Sequence, residues 1–189
     1  MNKKNIIVNL PEGNFNVEVL EFDDSDRPKL ANMYKEWRSL CRSLNELDAR
    51  GVNLPEGLSE SAVCLEMGMM RFTKSITKAN TSFDAYDVNS GLGKNRIQIK
   101  ACSVLPDLTS FGPKSVWDRL LFVDFYREGN WDGSFDIYEI DTLDIYNYKV
   151  NANETFKDHQ EQKRRPRFSI YKGIIEAKNL RPIKTGRLW

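Results

Sequence analysis

The sequence contains a single histidine, His159, among 189 residues. Zinc enzymes with imidazole ligands need two or more histidines, and a Ser-His-Asp mechanism would have to use this one residue. The scarcity of histidine therefore excludes most imidazole chemistry. A metal ion in this protein would be held by oxygen ligands, which are the ligands that Mg²⁺ prefers.

Cysteine and long apolar runs are also scarce. Cys41, Cys64 and Cys102 are odd in number and far apart, which predicts reduced thiols in the core and not disulfides or a zinc site. No apolar run reaches about 18 residues. The start, MNKKNIIVNLPEGN, lacks the apolar stretch and cleavage site of a signal peptide. We therefore expect a soluble cytoplasmic protein without a membrane segment.

The composition is that of a globular protein, with 40% hydrophobic and 29% charged residues, and it predicts one domain over residues 1–189. The 28 basic and 27 acidic residues nearly balance, but they are unevenly spread. Residues 157–189 contain ten Lys or Arg and three Asp or Glu. This asymmetry indicates a polyanionic partner, although a solvated charged surface gives similar counts.

Apolar spacing in the first half predicts two strands and two helices. Residues 4–9 and 15–22 have the pattern of short strands around a PEGN turn. Asp26 is placed to cap a helix that ends at Gly51, and Ser59 is placed to cap a second helix that runs to about Phe72. The apolar stripe predicted for the core on the first helix comprises Leu30, Met33, Tyr34, Trp37, Leu40, Cys41, Leu44 and Leu47.

The second half has mostly strand patterns. A hairpin over residues 83–101 is followed by a loop that leads into a short helical turn, and then by LLFVDFYR and SFDIYEI as strands. LDIYNYKV is a possible further strand, and RFSIYKGIIEAKNL predicts a strand with a turn or short helix after it. Helices followed by clustered strands favour an α/β or α+β fold with a central mixed sheet flanked by helices.

The hairpin FDAYDVNSGLGKNRIQIKA brings chemically active side chains to one face. Alternation places Ile97 and Ile99 on one side of their strand and Gln98 and Lys100 on the other. Matching of the apolar faces then places Asp84 with Gln98 and Lys100. Asp87 falls on the opposite side unless a bulge intervenes. An ordinary surface hairpin with exposed charges remains the alternative.

These groups together suit phosphate chemistry with a hard cation. Carboxylate and amide oxygens of Asp84 and Gln98, with the Ile99 carbonyl, are possible ligands for Mg²⁺. The Lys100 ammonium can stabilise negative charge that develops at phosphorus and can help to orient water.

The arrangement resembles the PD-(D/E)XK nuclease core, with Asp84 as the first acid and Gln98-Ile99-Lys100 in place of the (D/E)XK triplet. The order of elements also matches, because that core often takes a further acid from the preceding helix, here Glu60. Gln98 departs from the pattern because an amide brings no negative charge. Glu60 can supply the missing charge.

Two further segments, SFGPKSVWDR and RRPRFSI, extend the resemblance to a small group of bacterial type II restriction endonucleases that cut GC-rich palindromes with an unspecified central base (GCNGC-like). It covers roughly residues 55–185, and it leaves residues 1–50 as a possible dimerisation element. It implies Mg²⁺-dependent cleavage of double-stranded DNA to 5′-phosphates, a homodimer, and a cognate DNA methyltransferase as a functional partner.

Basic residues near these segments are candidate DNA contacts. Arginine binds phosphates or guanine edges in bidentate fashion, and lysine and serine meet phosphates at turns. A solvated basic loop is the alternative. The candidates are Lys114, Ser115, Lys163, Arg164, Arg165 and Arg167.

Two other functions stay open from the sequence. One is a structure-selective repair or recombination nuclease with the same core. The other is a noncatalytic DNA-binding protein in which Gln98 marks a decayed site.

Overall fold

The computed structural model describes residues 1–80 and 82–189, and for Leu92 it describes the backbone alone. Within these residues the chain forms four α-helices and ten strands. The helices are α1 (Arg27–Glu46), α2 (Glu56–Met67), α3 (Thr142–Tyr146) and α4 (Phe156–Glu161). The strands are β1 (Asn2–Leu10), β2 (Gly13–Glu21), β3 (Met70–Phe72), β4 (Ala85–Tyr86), β5 (Arg96–Cys102), β6 (Thr109–Ser110), β7 (Arg119–Asp124), β8 (Ser134–Ile140), β9 (Arg167–Phe168) and β10 (Lys184–Arg187).

Eight strands form one mixed sheet in the order β1-β2-β3-β4-β5-β7-β8-β10. Strands β5 and β7 are parallel, and the other neighbours are antiparallel. Strands β6 and β9 form a separate antiparallel pair. The predicted fold class, a mixed sheet flanked by helices, is confirmed.

Two apolar cores lie on the two faces of this sheet because side chains alternate along each strand. In the first core, α1 and α2 pack on Ile97, Ile99 and Leu121. In the second, α3, α4 and a π-helical segment (Tyr171–Glu176) pack on Leu120 and Phe122, together with Phe111 and Phe168 from the β6–β9 side. A smaller core lies under the β1–β2 hairpin.

The N-terminal strands are confirmed, but helix α1 ends earlier than predicted. It stops at Glu46, and the chain reverses at Asp48, whose φ is +55°. The amide of Ala49 then donates to the Leu44 carbonyl at 2.9 Å, which closes the helix end. The apolar stripe is therefore buried only in part: Leu47 lies beyond the helix and is 75% exposed, and Leu40 is 50% exposed.

Helix α2 also differs from the prediction at both ends. It begins after Pro55, so Ser59 lies inside the helix, where its hydroxyl donates to the Glu56 carbonyl instead of capping. It ends at Met67 because Gly68 takes the left-handed conformation (φ +66°) that favours glycine. The next residues therefore form β3 and not the last turn of a helix.

Two predictions in the second half are wrong. The LDIYNYKV segment starts within α3, because the Asp141 side chain caps that helix by accepting from the Leu143 amide. The segment after Phe111 forms a turn at Pro113 and Lys114 without a helix. The predicted strands β7 and β8 are confirmed. Strand β10 was not predicted, because its sequence has no recognisable strand pattern.

All three cysteines are free and buried, as predicted. Among the described residues, no helix has both the length and the apolar character that crossing a bilayer requires.

Candidate active site

The register of β4 and β5 places the hairpin side chains. Ala85 lies opposite Ile97, so Asp84 lies beside Gln98. The Gln98 Nε2 donates to Asp84 Oδ2 at 2.5 Å, and the Ile99 backbone N–H donates to the same oxygen at 2.7 Å. Two donors from β5 therefore fix one carboxylate oxygen of Asp84.

Two clefts meet at this carboxylate. The larger has a volume of about 840 Å³ and contains Asp84, Gln98, Ile99 and Lys100 in its wall. The smaller, about 210 Å³, is lined by residues from the segment after β3, including Lys74. Asp84 and Glu60 line both clefts. The two acidic side chains therefore lie where the clefts join.

The carboxyl group of Asp84 has a strongly raised pKa. Burial, with the neighbouring Glu60 carboxylate as the next cause, raises the pKa of Asp84 to about 7. The hydrogen bonds from Ile99 and Gln98 and the positive charge of Lys100 oppose this rise without cancelling it. Negative charge at this point is therefore poorly compensated by the protein itself.

Glu60 lies one turn into α2 and faces the hairpin. Arg71 of β3 donates through Nε to Glu60 Oε2 at 2.6 Å. This ion pair holds the Glu60 carboxylate at the junction of the clefts and offsets part of its charge.

Lys100 extends into the larger cleft without an acidic partner. Its Nζ lies 5.3 Å from the centre of the Phe111 ring, within the range of a cation–π contact. No ion pair joins Lys100 to a carboxylate anywhere in residues 1–80 and 82–189. An aromatic ring thus positions the ammonium while its hydrogen-bond donors stay available.

Asp87, the other acidic residue of the hairpin, makes its contacts outside the two clefts. Its Oδ2 accepts from Arg119 Nη1 at 3.1 Å, and its Oδ1 accepts from the Asn89 amide at 3.0 Å in the turn. Asp87 lines neither cleft. Its position on the far side agrees with strand alternation without a bulge.

The donor set fits a hard divalent cation. Mg²⁺ in proteins is commonly held by one or two carboxylates with further oxygen ligands. Asp84 and Glu60 supply two carboxylates whose mutual repulsion a cation would relieve, and Gln98 and Ile99 supply carbonyl oxygens. Across the described part of the chain, no three His, Cys, Asp or Glu side chains cluster in a way that would hold a metal. A cation here would therefore depend on these neutral oxygens.

The predicted DNA contacts divide into two groups. Arg167, on β9 opposite Ser110 of β6, and the buried Ser115 line the larger cleft. The other four lie outside the lining of this cleft and are exposed: Lys114, Lys163, Arg164 and Arg165. Among them, Arg164 forms an ion pair with Glu154.

Asp107 connects the chain segments that form the part of the larger cleft lined by Arg167. This buried carboxylate accepts from the Thr109 hydroxyl at 2.9 Å on its own side, and from the Ile170 amide at 2.9 Å and the Ser169 hydroxyl on the other. It therefore joins the loop after β5 to the segment after β9. Sequence reasoning missed Asp107, since no local motif marks a contact across 63 positions.

Sequence reasoning also missed the loop between α1 and α2. Arg50 and Asn53 line the larger cleft from this loop. The only local signal was a polar stretch between two helices, and that pattern is typical of any connection.

Comparison with known proteins gives a consistent result. The family model described as Bsp6I restriction endonuclease matches residues 22–177. This chain is 29% identical over 177 residues to the type II restriction enzyme Bsp6I of Bacillus sp. (strain RFL6), covering 88% of this chain and 90% of the relative. No solved structure matches. The matched region begins well before residue 55, where the resemblance seen in the sequence began.

Proposed function

The chain belongs to the Bsp6I restriction endonuclease family, and from this premise we propose that it cuts double-stranded DNA at a short GC-rich palindrome with Mg²⁺ as the cofactor. Residues 1–189 would act as a single nuclease domain. The observation that carries the proposal is the meeting of Asp84, Gln98 and Lys100 in one cleft.

The reaction adds water to phosphorus and breaks the P–O3′ bond, which leaves a 5′-phosphate and a 3′-hydroxyl. Asp84 and Gln98, assisted by Glu60 and the Ile99 carbonyl, would hold Mg²⁺. When bound, the ion polarises the phosphate and lowers the pKa of water. The Ile99 N–H keeps the Asp84 carboxylate in place for this role.

Lys100 acts directly on the substrate in this scheme. Its ammonium donates hydrogen bonds to the phosphate oxygens as negative charge grows on them, and it orients the attacking water. The contact with the Phe111 ring holds the side chain in the cleft without neutralising its charge. A carboxylate partner in that position would have competed with the phosphate.

The DNA contacts follow from the same cleft. We assign Arg167 and Ser115 to phosphates or base edges near the cleavage point, because both line the cleft. The exposed Lys114, Lys163, Arg164 and Arg165 would contact the duplex beyond it. Arg164 would have to exchange its ion pair with Glu154 for a phosphate.

A palindromic site cut on both strands needs two active sites related by a two-fold axis. We therefore propose a homodimer, which light scattering of the purified protein will detect. A cognate DNA methyltransferase in the same bacterial cytoplasm would protect host DNA.

Plasmid cleavage tests the proposed function. With Mg²⁺ we expect discrete fragments, and with EDTA we expect none. A smear would indicate a nonspecific nuclease, preference for branched DNA would indicate a repair enzyme, and binding without any cutting would indicate a decayed site.

Lys100→Ala tests the assignment of the site. We expect cleavage to fall by about a hundredfold to a thousandfold, because the variant loses its charge contact to the transition state. Fragment yield in Mg²⁺ measures the rate, and circular dichroism with DNA-binding assays serves as the control for folding and binding. Wild-type cleavage by this variant would remove Lys100 from the mechanism.

A further inference from the structure

The loop between α1 and α2, residues 47–55, forms a rim of the larger cleft. Arg50 and Asn53 line the cleft from this loop. The loop lies on the side of the sheet covered by α1 and α2, whereas Arg167 comes from the side of the second core. The cleft therefore has polar rims that originate from both faces of the sheet.

The loop is fixed to α1 at the two residues between Arg50 and Asn53. The Val52 carbonyl accepts from Trp37 Nε1 at 3.0 Å and from Cys41 Sγ at 3.4 Å. A Cβ at Gly51 would lie 3.3 Å from Cys41 Sγ, so the backbone packs closely on the helix there. The side chains of Arg50 and Asn53 thus extend from an anchored backbone.

Arg50 has no side-chain partner among the residues that the structure describes. Most other arginines close to the sheet form ion pairs, for example Arg71 with Glu60 and Arg96 with Asp118. In the described residues, neither an ion pair nor a side-chain hydrogen bond involves Arg50, and the same holds for Arg167. Two guanidinium groups therefore line the cleft with all their donors available.

We propose that Arg50 is a DNA-binding residue, with Asn53 beside it, and that the loop holds the duplex from the rim across from Arg167. This inference rests on the proposed function. Guanidinium groups bind paired acceptors, which in DNA are two phosphate oxygens or O6 and N7 of guanine. The anchored loop reduces the entropy lost on binding.

Arg50→Ala tests the inference. We expect DNA affinity to fall roughly tenfold, measured in a Lys100→Ala background in EDTA so that the DNA stays intact. Arg42→Ala is the matched control, because Arg42 is exposed on α1 and lines neither cleft. Its affinity should stay within about twofold of the background.

Arg50→Lys separates the two acceptors. If Arg50 binds a phosphate, lysine should retain most of the affinity, and Arg50→Ala should reduce the salt dependence by about one unit of slope. If Arg50 binds guanine, lysine should lose the bidentate contact, and discrimination against a changed base pair should weaken. Either result supports the DNA contact.

Equal affinities for Arg50→Ala and Arg42→Ala would overturn the inference while leaving the nuclease assignment intact. Failure of the unmodified protein to bind or cut any duplex would instead overturn the proposed function.

Discussion

The two ends of strand β5 carry charged side chains on the same face of the sheet, but the charges have opposite surroundings. At the start, Arg96 donates through Nε and Nη2 to both oxygens of Asp118, at 3.0 and 2.7 Å, and its backbone N–H donates to Asp118 as well. At the other end, Lys100 lies over the Phe111 ring and forms no ion pair among the described residues, and the nearby Asp84 is partly buried beside Glu60.

We therefore expect the paired end of β5 to contribute mainly to stability and the unpaired end mainly to function. Paired charges with several hydrogen bonds support the fold, and removal of one partner leaves the other unsatisfied. Charges left without compensation cost stability, but they remain available to a cation and a phosphate. One strand thus supplies a structural pair at one end and the candidate catalytic groups at the other.

Asp84→Asn should have the largest effect, and it should lower cleavage while it raises stability. Cleavage in Mg²⁺ should fall by about a thousandfold, because the site loses an anionic ligand. In EDTA, the melting temperature should rise by roughly 5 °C, because asparagine can still accept the Ile99 N–H and places no charge in this partly buried position.

The pH dependence of this gain follows from the raised pKa of Asp84. The folded-state pKa lies above that of the unfolded chain, so stability falls as pH rises from the unfolded value to about 7, and the full loss persists above that pH. The gain in melting temperature should be greater at pH 8 than at pH 5. Lost cleavage with a lowered melting temperature at pH 8 would contradict the electrostatic account.

Asp118→Asn should have the reverse effect of Asp84→Asn: it should lower stability and leave cleavage unchanged. Burial raises the pKa of Asp118, but the hydrogen bonds from Arg96 outweigh it and lower the pKa overall. The variant should lose about 2 kcal/mol of unfolding free energy at pH 7, measured by urea denaturation, with cleavage unchanged.

Because the folded-state pKa of Asp118 is depressed, its contribution is present above the unfolded pKa and is lost as pH falls through the folded value. The difference between Asp118→Asn and the wild type should therefore shrink in acid. Loss of cleavage without loss of stability would place the paired end of β5 in the active site.

Asp87→Asn should have the smallest effect and is the matched control for Asp84→Asn in the same hairpin. Arg119 also pairs with Glu139, so it keeps one acidic partner. We expect a loss of about 0.5–1 kcal/mol in unfolding free energy and cleavage within about twofold of wild type. A hundredfold loss of cleavage would make Asp87, instead of Asp84, the essential carboxylate.

The hairpin was predictable because its signal is local. Alternation in RIQIKA and in FDAYD specifies which side chains share a face, and burial of Ala85 and Ile97 then sets the register. The same alternation predicted that Asp84 and Asp87 lie on opposite faces of the hairpin. The helix ends were less predictable, since Asp48 and Gly68 stop the helices through backbone conformations that apolar spacing does not reveal.

The cleft walls could not be predicted because they depend on contacts between distant segments. Asp107 joins segments more than 60 positions apart, and Trp37 fixes the loop that presents Arg50. Basic residues in RRPR were conspicuous in the sequence, but packing decided that Arg167 lines the cleft and that Arg164 pairs with Glu154.

The sequence by itself determined the mixed fold class, the family resemblance and the sharing of one face by Asp84, Gln98 and Lys100, because side-chain alternation and apolar burial act over a few residues. Only the tertiary structure decided how Glu60, Arg50 and Arg167 are arranged around that face. Their positions depend on how two helices and a separate strand pair pack against the sheet, and such packing energy is shared among residues far apart in the chain.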